Sequence, residues 1–577
     1  MQKYYHTSLR LWKLLKPFHK HFYLQLCFTI MSQLIGVFSV TLLSKSINHM
    51  VDKSFLIAGY FIVAYLTASL TRGIANYFAQ TNSNRNINFS IKQYLQEYSF
   101  INIFKLNASQ YVEDHSAIKQ QVIARGEEAV ENIITTIVLN LLPTISLVTF
   151  SLAAMAFYSI PVALVTFFTL VFVIIWTSKF SSFHRPFLRK NIEQWDVQRK
   201  IRTEAFQHLS LIKTSGIEDS YLKKYLKNRT KVIEHSELTQ QLTINHAIKR
   251  WSVFNITNAI SRLTLVYQAY LGQLLIGDIY AVWSWISDAN GNIFTVIQAM
   301  RTIPNNFIEL EKYLDIIDKH PEFKENGEKL FEIKDIEIKN LSFKYPKGEK
   351  YLFQNINLDI PYGKKVAFVG FSGSGKSTII KLLLRIYDYK EGVIKIGDKN
   401  LKDLDAQTLR QKIGYVEQHV DLFDMSIKEN ILFSVQNKKM SEKELLEIVH
   451  KARIDQFFHR LGSNGLDTII GERGVKLSGG ERQRIGIARA LAKNPEILIF
   501  DEATASLDTE NEKYIQEAID ESSKNRTTIV VAHRLSTIQN SDIIFVFDKG
   551  QIVGTGTHEE LKENCEEYIR LIKAQDK

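Results

Sequence analysis

The first half of the chain is dominated by long hydrophobic runs that contain no charged side chain. Residues 22–44 form one such run, and a second begins at residue 54. Between Glu131 and Lys179 there is no formal charge at all. That length is enough for two helices that each cross the roughly 30 Å hydrocarbon core of a bilayer. Proline disfavours helical conformation at the residue before it, so Ser159-Ile160-Pro161 predicts a break between the two.

Two further segments are hydrophobic but contain charged residues. Residues 251–277 are apolar apart from Arg262, and residues 279–300 contain Asp288. We expect six spans in all, at about 22–44, 54–78, 132–157, 161–178, 251–277 and 279–300.

The distribution of basic residues predicts the orientation of these spans. Lys and Arg are abundant in three segments, 1–21, 79–130 and 179–250, and are rare in the short connections near 46–53 and 158–161. The positive-inside rule therefore predicts a cytoplasmic amino terminus and cytoplasmic long loops in a multi-pass protein of the cell membrane. After four spans the chain is cytoplasmic again, so the fifth and sixth spans occur together or not at all.

Length and charge add to this interpretation. A chain of 577 residues is too long for one hydrophobic core, which predicts at least two domains. The formal net charge of +11 is compatible with nucleic acid or with an anionic membrane surface. The basic residues flank the apolar runs, so we expect a lipid bilayer as partner and no nucleic acid.

Several polar residues interrupt the predicted spans. They are Arg72, Asn76, Asn255, Asn258, Arg262 and Asp288. Such groups face a protein interior or a water-filled path when they lie at membrane depth. Two interpretations remain open: they tie helices together, or they line a substrate path, with Arg72, Arg262 and Asp288 as weak candidates for an anionic substrate.

The pattern changes after a charged, proline-containing linker at residues 321–331. A short hydrophobic strand, KKVAFVG (364–370), leads into GFSGSGKST (370–378) and then into the apolar run IIKLLL. This is a phosphate-binding loop between a strand and a helix, the context that such a motif requires. Its backbone N–H groups would surround phosphates, Lys376 would reach the β- and γ-phosphates, and the Ser377 hydroxyl would bind Mg²⁺.

A second strand, EILIF (496–500), is followed by two adjacent carboxylates. Asp501 would bind magnesium, directly or through water, and Glu502 would act as the general base that polarises the attacking water. An acidic pair at a strand end is weak evidence alone, but a phosphate-binding loop precedes it here.

Three further candidates have ordinary structural alternatives. His533 follows the strand TTIVVA (527–532) and could contact the γ-phosphate or be structural. Gln418 could be a surface amide or could touch magnesium and water. Tyr345 could pack in the core or stack on adenine.

The stretch LSGGERQR (477–484) connects these residues. Together they resemble the ATP-binding-cassette transporter family, whose signature motif this stretch matches. The resemblance assigns Tyr345 to the aromatic A-loop and Gln418 to the Q-loop, and Gly471-Glu472-Arg473-Gly474 is similar to the X-loop of exporters. Asp508 ends the D-loop, which here has the order DEATASLD where DEATSALD is commoner.

The resemblance implies a complete set of site residues. The expected catalytic residues are Glu502, His533, Gln418 and Lys376, and the expected magnesium ligands are Ser377, Gln418 and Asp501. The expected nucleotide-binding residues are Tyr345, Gly370, Ser372, Gly373, Ser374, Gly375, Lys376, Ser377, Thr378, Gln418, Ser478, Gly479, Gly480, Glu481, Asp501 and Asp508.

The same resemblance implies the architecture. An all-α transmembrane domain of six helices (1–320) is followed by an α/β P-loop ATPase cassette with a helical subdomain (332–577), as in a half-transporter of the multidrug and lipid exporter type. Two short coupling helices are expected near Ala108–Ser116 and Leu209–Gly216.

In this family the signature of one cassette covers the ATP held by the phosphate-binding loop of another. The chain has one loop and one signature, so we expect a second half-transporter chain as partner, most simply an identical one.

The expected function is ATP-driven export or flipping of an amphiphilic, lipid or peptide substrate, with ATP and Mg²⁺ as cofactors. The alternative is a membrane-tethered cassette ATPase that acts as a regulator or an ATP-gated channel. A tethered ATPase acting on DNA or ribosomes, and an importer, fit the pattern less well.

Overall fold

The computed structural model describes most of the chain. The described residues are 2–112, 116–330, 332–346, 348–435, 440–471, 474, 476–503, 509–532 and 538–575. They form two compact units, Met1–Phe104 with His115–Lys319, and Lys105–Asp114 with His320–Lys577.

The first unit is helical. Its helices are α1 (Gln2–Leu14), α2 (His19–Val51), α3 (Phe55–Thr81), α4 (Ser90–Phe104), α6 (Ser116–Ile134), α7 (Leu142–Tyr158), α8 (Ile160–Gln207), α9 (Leu209–Thr214), α10 (Glu218–Tyr270) and α11 (Ile276–Ile317), with α5 (Ala108–Val112) in the second unit. Wider π-helical turns at Asn82–Phe89 and Thr135–Leu141 join α3 to α4 and α6 to α7.

The predicted break between the third and fourth hydrophobic runs falls between α7 and α8. Ser159 lies in an extended conformation there, and its Oγ accepts a hydrogen bond from the backbone N–H of Val162 at 3.3 Å. Pro161 occupies the first turn of α8, where a missing N–H costs nothing. The side chain of Ser159 thus caps the helix that follows it.

Four stretches of the described chain are long and apolar enough to cross a membrane: Lys16–Val51, Phe55–Phe104, Gln120–Tyr158 and Ile160–His184. The predicted sixth span, 279–300, lies inside α11, whereas the fifth, 251–277, extends past the end of α10 at Tyr270 and through the turn before α11. They fall outside this group because polar residues dilute their hydrophobicity, so their membrane crossing stays a prediction.

Polar residues within the predicted spans join neighbouring helices. Asn290 donates a hydrogen bond from Nδ2 to Oδ1 of Asn258 at 2.9 Å, which links α10 to α11. Ser32 donates to Oδ1 of Asn76 at 2.5 Å, which links α2 to α3. These contacts favour the interpretation in which such residues tie helices together.

The two arginines in the predicted spans are also engaged in packing. The guanidinium carbon of Arg262 lies 4.5 Å from the ring centre of Trp283, a cation–π contact. Arg72 fills the notch at Gly36, where a Cβ would lie 2.8 Å from the guanidinium carbon. Both arginines therefore pack against a neighbouring helix, and the buried Nε of each has no hydrogen-bond partner among the described residues.

The second unit is an α/β fold built on two sheets. The antiparallel sheet has the order β2-β1-β4-β5 and the larger sheet the order β10-β9-β3-β8-β7-β6. The strands are β1 (Ile336–Phe343), β2 (Phe353–Ile360), β3 (Lys365–Gly370), β4 (Glu391–Ile396), β5 (Lys399–Asn400), β6 (Ile413–Val416), β7 (Ile497–Asp501), β8 (Thr527–Val531), β9 (Ile543–Asp548) and β10 (Gln551–Gly556).

The helices of this unit cover both faces of the larger sheet or build the helical subdomain. They are α12 (Lys376–Leu383), α13 (Ala406–Lys412), α14 (Ile427–Leu432), α15 (Glu442–Lys451), α16 (Gly479–Ala492), α17 (Thr509–Ser523), α18 (His558–Asn564) and α19 (Glu566–Gln575). Alternate residues of β3 enter two different hydrophobic clusters, Ala367 one and Phe368 the other. Strands buried on both faces are typical of parallel sheets.

Residues 105–112 lie between α4 and α6 in the sequence but belong to the second compact unit. Asn107 donates from Nδ2 to the carbonyl of Phe323 at 3.2 Å and accepts the backbone N–H of Phe323 at 3.1 Å. Gln110 donates to the carbonyl of His320 at 3.1 Å. Short helices thus form at both positions expected for coupling helices, α5 here and α9 in the first unit.

The six-span topology predicts that the turn between α10 and α11 faces the outside. In a chain with Cys27→Ser and Cys565→Ser, Gln273→Cys should react with a membrane-impermeant maleimide applied to intact cells, because Gln273 lies in that exposed turn.

Ser215→Cys, in the exposed turn between α9 and α10, is the matched control and should react only after the membrane is permeabilised. Equal protection of both cysteines in intact cells would support four spans.

Candidate functional site

One edge of the larger sheet carries the phosphate-binding loop, the carboxylates Asp501 and Glu502, and Gln418. Strands β3, β8, β7 and β6 pair in parallel, so their carboxyl ends meet at that edge. β3 ends at Gly370, β7 at Asp501 and β6 at Val416. Ligands of open parallel sheets bind at this end of the strands.

The phosphate-binding loop connects β3 to α12. Gly375 has φ 109°, and a Cβ there would lie 2.3 Å from Cε1 of Phe353. The buried hydroxyl of Ser374 has no hydrogen-bond partner in the described part of the chain. The loop ends at the amino terminus of α12, where free N–H groups and the helix dipole favour an anion. A buried unpaired donor beside such a terminus fits a phosphate group.

Lys376 is held over this loop. Its Nζ donates to the carbonyl oxygens of Gly370 at 2.7 Å and Phe371 at 3.0 Å, and the residue is buried. Burial lowers the pKa of Lys376, while the negative charges of Glu502 and Asp501 oppose that shift. The ammonium group is therefore available to a phosphate at the mouth of the loop.

Asp501 and Ser377 form a set of oxygen donors suited to Mg²⁺. The Ser377 hydroxyl donates to Oδ1 of Asp501 at 2.9 Å, and the Tyr415 hydroxyl donates to Oδ2 at 3.2 Å. Burial raises the pKa of Asp501, and these two hydrogen bonds oppose the rise. A hydroxyl and a carboxylate oxygen in contact are ligands of the type that Mg²⁺ takes from proteins.

Glu502 begins the turn after β7 in a strained conformation. Its φ is 52°, in the left-handed region that a non-glycine residue rarely adopts, and its N–H bonds to the carbonyl of Val531 at 2.9 Å. Gln418 donates from Nε2 to Oε2 of Glu502 at 2.6 Å. The carboxylate and the amide are thus within reach of the same water.

Tyr345 lies beside the start of α12. Its hydroxyl is 2.7 Å from the hydroxyl of Thr378, and its ring meets Phe343 and Tyr387 edge to face. A cavity of about 370 Å³ adjoins these rings. Among the phosphate-loop residues, Ser372 and Gly373 are exposed at the tip.

The signature stretch starts α16 with a capping box. The Ser478 hydroxyl accepts from the N–H of Glu481 at 3.3 Å, and Oε2 of Glu481 accepts from the N–H of Ser478 at 2.7 Å. The hydrogen bonds described for Ser478, Gly479 and Gly480 do not reach the phosphate-binding loop. The exposed backbone of Gly479 at the helix start is therefore open to a group from elsewhere.

Some predicted residues lie outside the described residues. These are His533, Asp508, and Glu472 and Arg473 of the X-loop.

Comparison with known proteins agrees with this geometry. A family model described as "ABC transporter" matches residues 353–505. The chain is 34% identical over 518 residues to proteins named "putative multidrug export ATP-binding/permease protein" from Staphylococcus aureus strains NCTC 8325 and COL, covering 87% of this chain and 86% of each relative. The chain belongs to the ABC transporter family.

A solved structure extends the likeness to the whole chain. A bacterial Atm1-family ABC exporter with ATP bound matches with TM-score 0.84 at 26% identity, over 98% of this chain and 99% of the other. The predicted fold class, a helical membrane domain followed by an α/β cassette, is confirmed. The transporter is an ATP-hydrolysing exporter of the half-transporter type.

Two residues of the transporter were missed by sequence reasoning. Tyr415 supports Asp501, and Asn107 fixes α5 within the cassette unit. The signal for Tyr415 was a polar hydroxyl in a buried strand, IGYV, shortly before Gln418. The signal for Asn107 was an asparagine beside a predicted coupling helix.

The capping box predicts how the signature of the transporter responds to substitution at Glu481. Glu481→Gln keeps an acceptor for the N–H of Ser478, so ATPase activity should stay within about threefold of wild type. Glu481→Ala removes the acceptor for the N–H of Ser478 but keeps the bond from the residue 481 N–H to the Ser478 hydroxyl, and it should lower the free energy of unfolding by about 1 kcal/mol. Thermal unfolding and ATPase assays of the full chain check both results.

An equal loss of activity in both variants, without a change in thermal stability, would contradict the capping role. It would show that the carboxylate itself contacts nucleotide.

Proposed function

We propose that the chain exports or flips an amphiphilic substrate, such as a lipid, a lipopeptide or an amphiphilic drug, across the cell membrane by alternating access. The observation that carries the proposal is the Gln418–Glu502 hydrogen bond of 2.6 Å beside the Asp501–Ser377 pair. This grouping of carboxylate, amide and hydroxyl supports ATP hydrolysis at the site, and hydrolysis favours a pump over a regulator.

Each residue of the site then has a chemical role. The phosphate-binding loop and Lys376 hold the β- and γ-phosphates, and Glu502 takes the proton of the water that Gln418 helps to position. Ser377 and Asp501, with Gln418, would hold Mg²⁺, which when bound neutralises charge on the phosphates. Tyr345 would support the adenine ring.

We propose that each site is completed by a second copy of the chain. Ser478, Gly479 and Gly480 present a hydroxyl and backbone N–H groups at the start of α16, a helix of 14 residues whose positive dipole end suits a γ-phosphate. Because these donors make no described contact with the chain's own phosphate-binding loop, a partner's nucleotide is the group they fit.

Residues 105–112 would couple movement of the cassette to the membrane helices. Asn107 makes two backbone hydrogen bonds with Phe323, so this segment moves with the cassette. In the sequence, α4 ends at Phe104 before this segment and α6 begins at Ser116 after it. Closing two cassettes on ATP would therefore draw the cytoplasmic ends of these helices together and open the cavity outward.

Transport should depend on Glu502. Inverted membrane vesicles that contain the wild-type chain should accumulate a fluorescent lysolipid when ATP is added. Glu502→Gln should lower ATP hydrolysis roughly 10²–10⁴-fold and abolish accumulation, because the general base is lost while the isosteric amide keeps the site's shape.

Glu447→Gln is the matched control, since Glu447 is an exposed acid of the same unit and the change in charge is the same. ATP-gated ion current without accumulation of any of a panel of lysolipids, peptides and dyes would favour the channel alternative.

Paired substitutions test the composite site. Lys376→Ala disables the phosphate-binding loop. Gly479→Asp places a negative charge where the partner's γ-phosphate would approach, yet aspartate in the first turn of a helix favours folding. Each variant alone should be inactive, whereas dimers that contain one of each should recover about half of wild-type ATPase activity if the sites act independently.

Two different affinity tags on the co-expressed variants allow purification of the mixed dimer. Inactive mixed dimers, with both variants binding ATP analogues as expected, would argue against sites shared between two identical chains.

A further inference from the structure

A small cavity lies among α8, α10 and α11 of the membrane unit. Its volume is about 40 Å³, and its polar lining includes His184, His246, Arg250 and Arg301. This space holds a few water molecules or one compact anionic group, and it is too small for a whole amphiphile.

Two histidine nitrogens at this cavity have no hydrogen-bond partner among the described residues. His184 is 3% exposed and its buried Nδ1 is unpaired, while its Nε2 lies 3.3 Å from the hydroxyl of Thr243. The buried Nε2 of His246 is also unpaired, and its ring stacks on Phe180 with centroids 3.5 Å apart. Buried polar atoms without partners are costly, and a bound ligand would satisfy them.

The positive charge at the cavity is not neutralised by an acidic side chain among the described residues that line it. The described residues that line it include no Asp or Glu, and no ion pair is described for Arg250 or Arg301. Burial lowers the pKa of Arg250, and the nearby charge of Arg301 lowers it further. Burial, with the charges of Arg250, His184, Arg301 and Lys249, lowers the pKa of His246 to about 4. Arg250 is partly buried and Arg301 is exposed at the rim of the cavity, and two neighbouring cations without an acidic partner attract an anion.

The cavity lies at the same end of the predicted span in each of the three helices. Thr177 lies at the end of the span 161–178, Arg250 directly precedes 251–277, and Arg301 directly follows 279–300. Under the predicted topology these are the cytoplasmic ends, the depth at which the head group of a lipid-like molecule lies in the inner leaflet.

We propose that this cavity binds the anionic head group, a phosphate or a carboxylate, of the amphiphile that the chain exports. Arg250 and Arg301 hold its charge, and His184 and His246 donate or accept hydrogen bonds at its oxygens. The proposal rests on the proposed export function and adds the substrate class.

The test uses three probes. The first has both a phosphate head group and an oleoyl chain, the second has only the oleoyl chain, and the third has only the phosphate. The full-length chain in phosphatidylcholine nanodiscs, without nucleotide, is titrated calorimetrically with oleoyl lysophosphatidic acid, with monooleoylglycerol and with glycerol 3-phosphate. Lysophosphatidic acid should bind at least about tenfold more tightly than the neutral monooleoylglycerol. Binding of glycerol 3-phosphate with similar affinity would identify a soluble anion as the source, and its absence a membrane-borne one; both support the anion site.

Substitutions locate the binding. The double variant Arg250→Gln/Arg301→Gln should weaken lysophosphatidic acid at least about tenfold, while Arg250→Lys/Arg301→Lys keeps the charge and should retain most of the affinity. Lys249→Gln, an exposed neighbour on α10, is the control for net charge and should change the affinity less than about twofold.

Equal affinity for the charged and the neutral lipid would overturn the proposal, and that comparison needs only wild-type protein. Unchanged affinity for lysophosphatidic acid in the double Gln variant would overturn it as well, provided that this variant elutes from gel filtration at the same volume as the wild-type chain. Binding is measured without ATP, so this test does not depend on the export function. If the anion site is absent but Glu502-dependent transport of other substrates is observed, the export proposal is supported and only the anion-site proposal is contradicted.

Discussion

The cassette depends on the parallel pairing of four strands, because this pairing brings separate parts of the sequence to one edge of the sheet. The turn after β3 holds the phosphate-binding loop, and the turn after β7 holds the two carboxylates. Their side chains then bond directly, as the Ser377 hydroxyl does with Asp501. A shift of one residue in the register of β7 would turn Asp501 to the opposite face of the sheet and separate the two.

The membrane unit depends on a different constraint, the need to pair polar groups that hydrocarbon cannot solvate. The amide pair of Asn258 and Asn290, and the stacking of Arg262 on Trp283, join α10 to α11. Asp278 likewise accepts from Ser44 at 3.1 Å and from Asn48 at 3.0 Å, which joins α11 to α2. Helices tied in this way would move as groups, which suits a transporter that alternates between two arrangements.

Local patterns were enough to predict the parts of the site that lie within single motifs. The phosphate-binding loop and the pair Asp501 and Glu502 have short, characteristic sequences between a strand and a turn. The contact of Tyr415 with Asp501 was harder to predict, because the two residues are 86 positions apart and the contact depends on the pairing of β6 with β7. The capping role of Glu481 was open to prediction, since serine followed three residues later by glutamate at a helix start is a local signal.

The membrane unit was harder to predict for a physical reason. Hydropathy reports length and composition, so it located the four stretches that are long and apolar enough to cross a membrane, but it does not tell which polar residues already have partners. Arg72 and Arg262 drew attention because they interrupt apolar runs, yet both are used in packing. Arg250 and Arg301 lie just outside those runs among other basic residues, and only the meeting of three helices distinguishes them.

The most direct test of the account is the distance between the outer ends of two copies of the chain. Spin labels on Gln273→Cys, in an otherwise cysteine-free Glu502→Gln background, can be measured by pulsed electron spin resonance with and without ATP and Mg²⁺. The account predicts a two-label signal whose mean distance lengthens when ATP is added, because closing the cassettes opens the outer side. A single-label signal, or a distance that ATP leaves unchanged, would contradict ATP-driven alternating access in a homodimer.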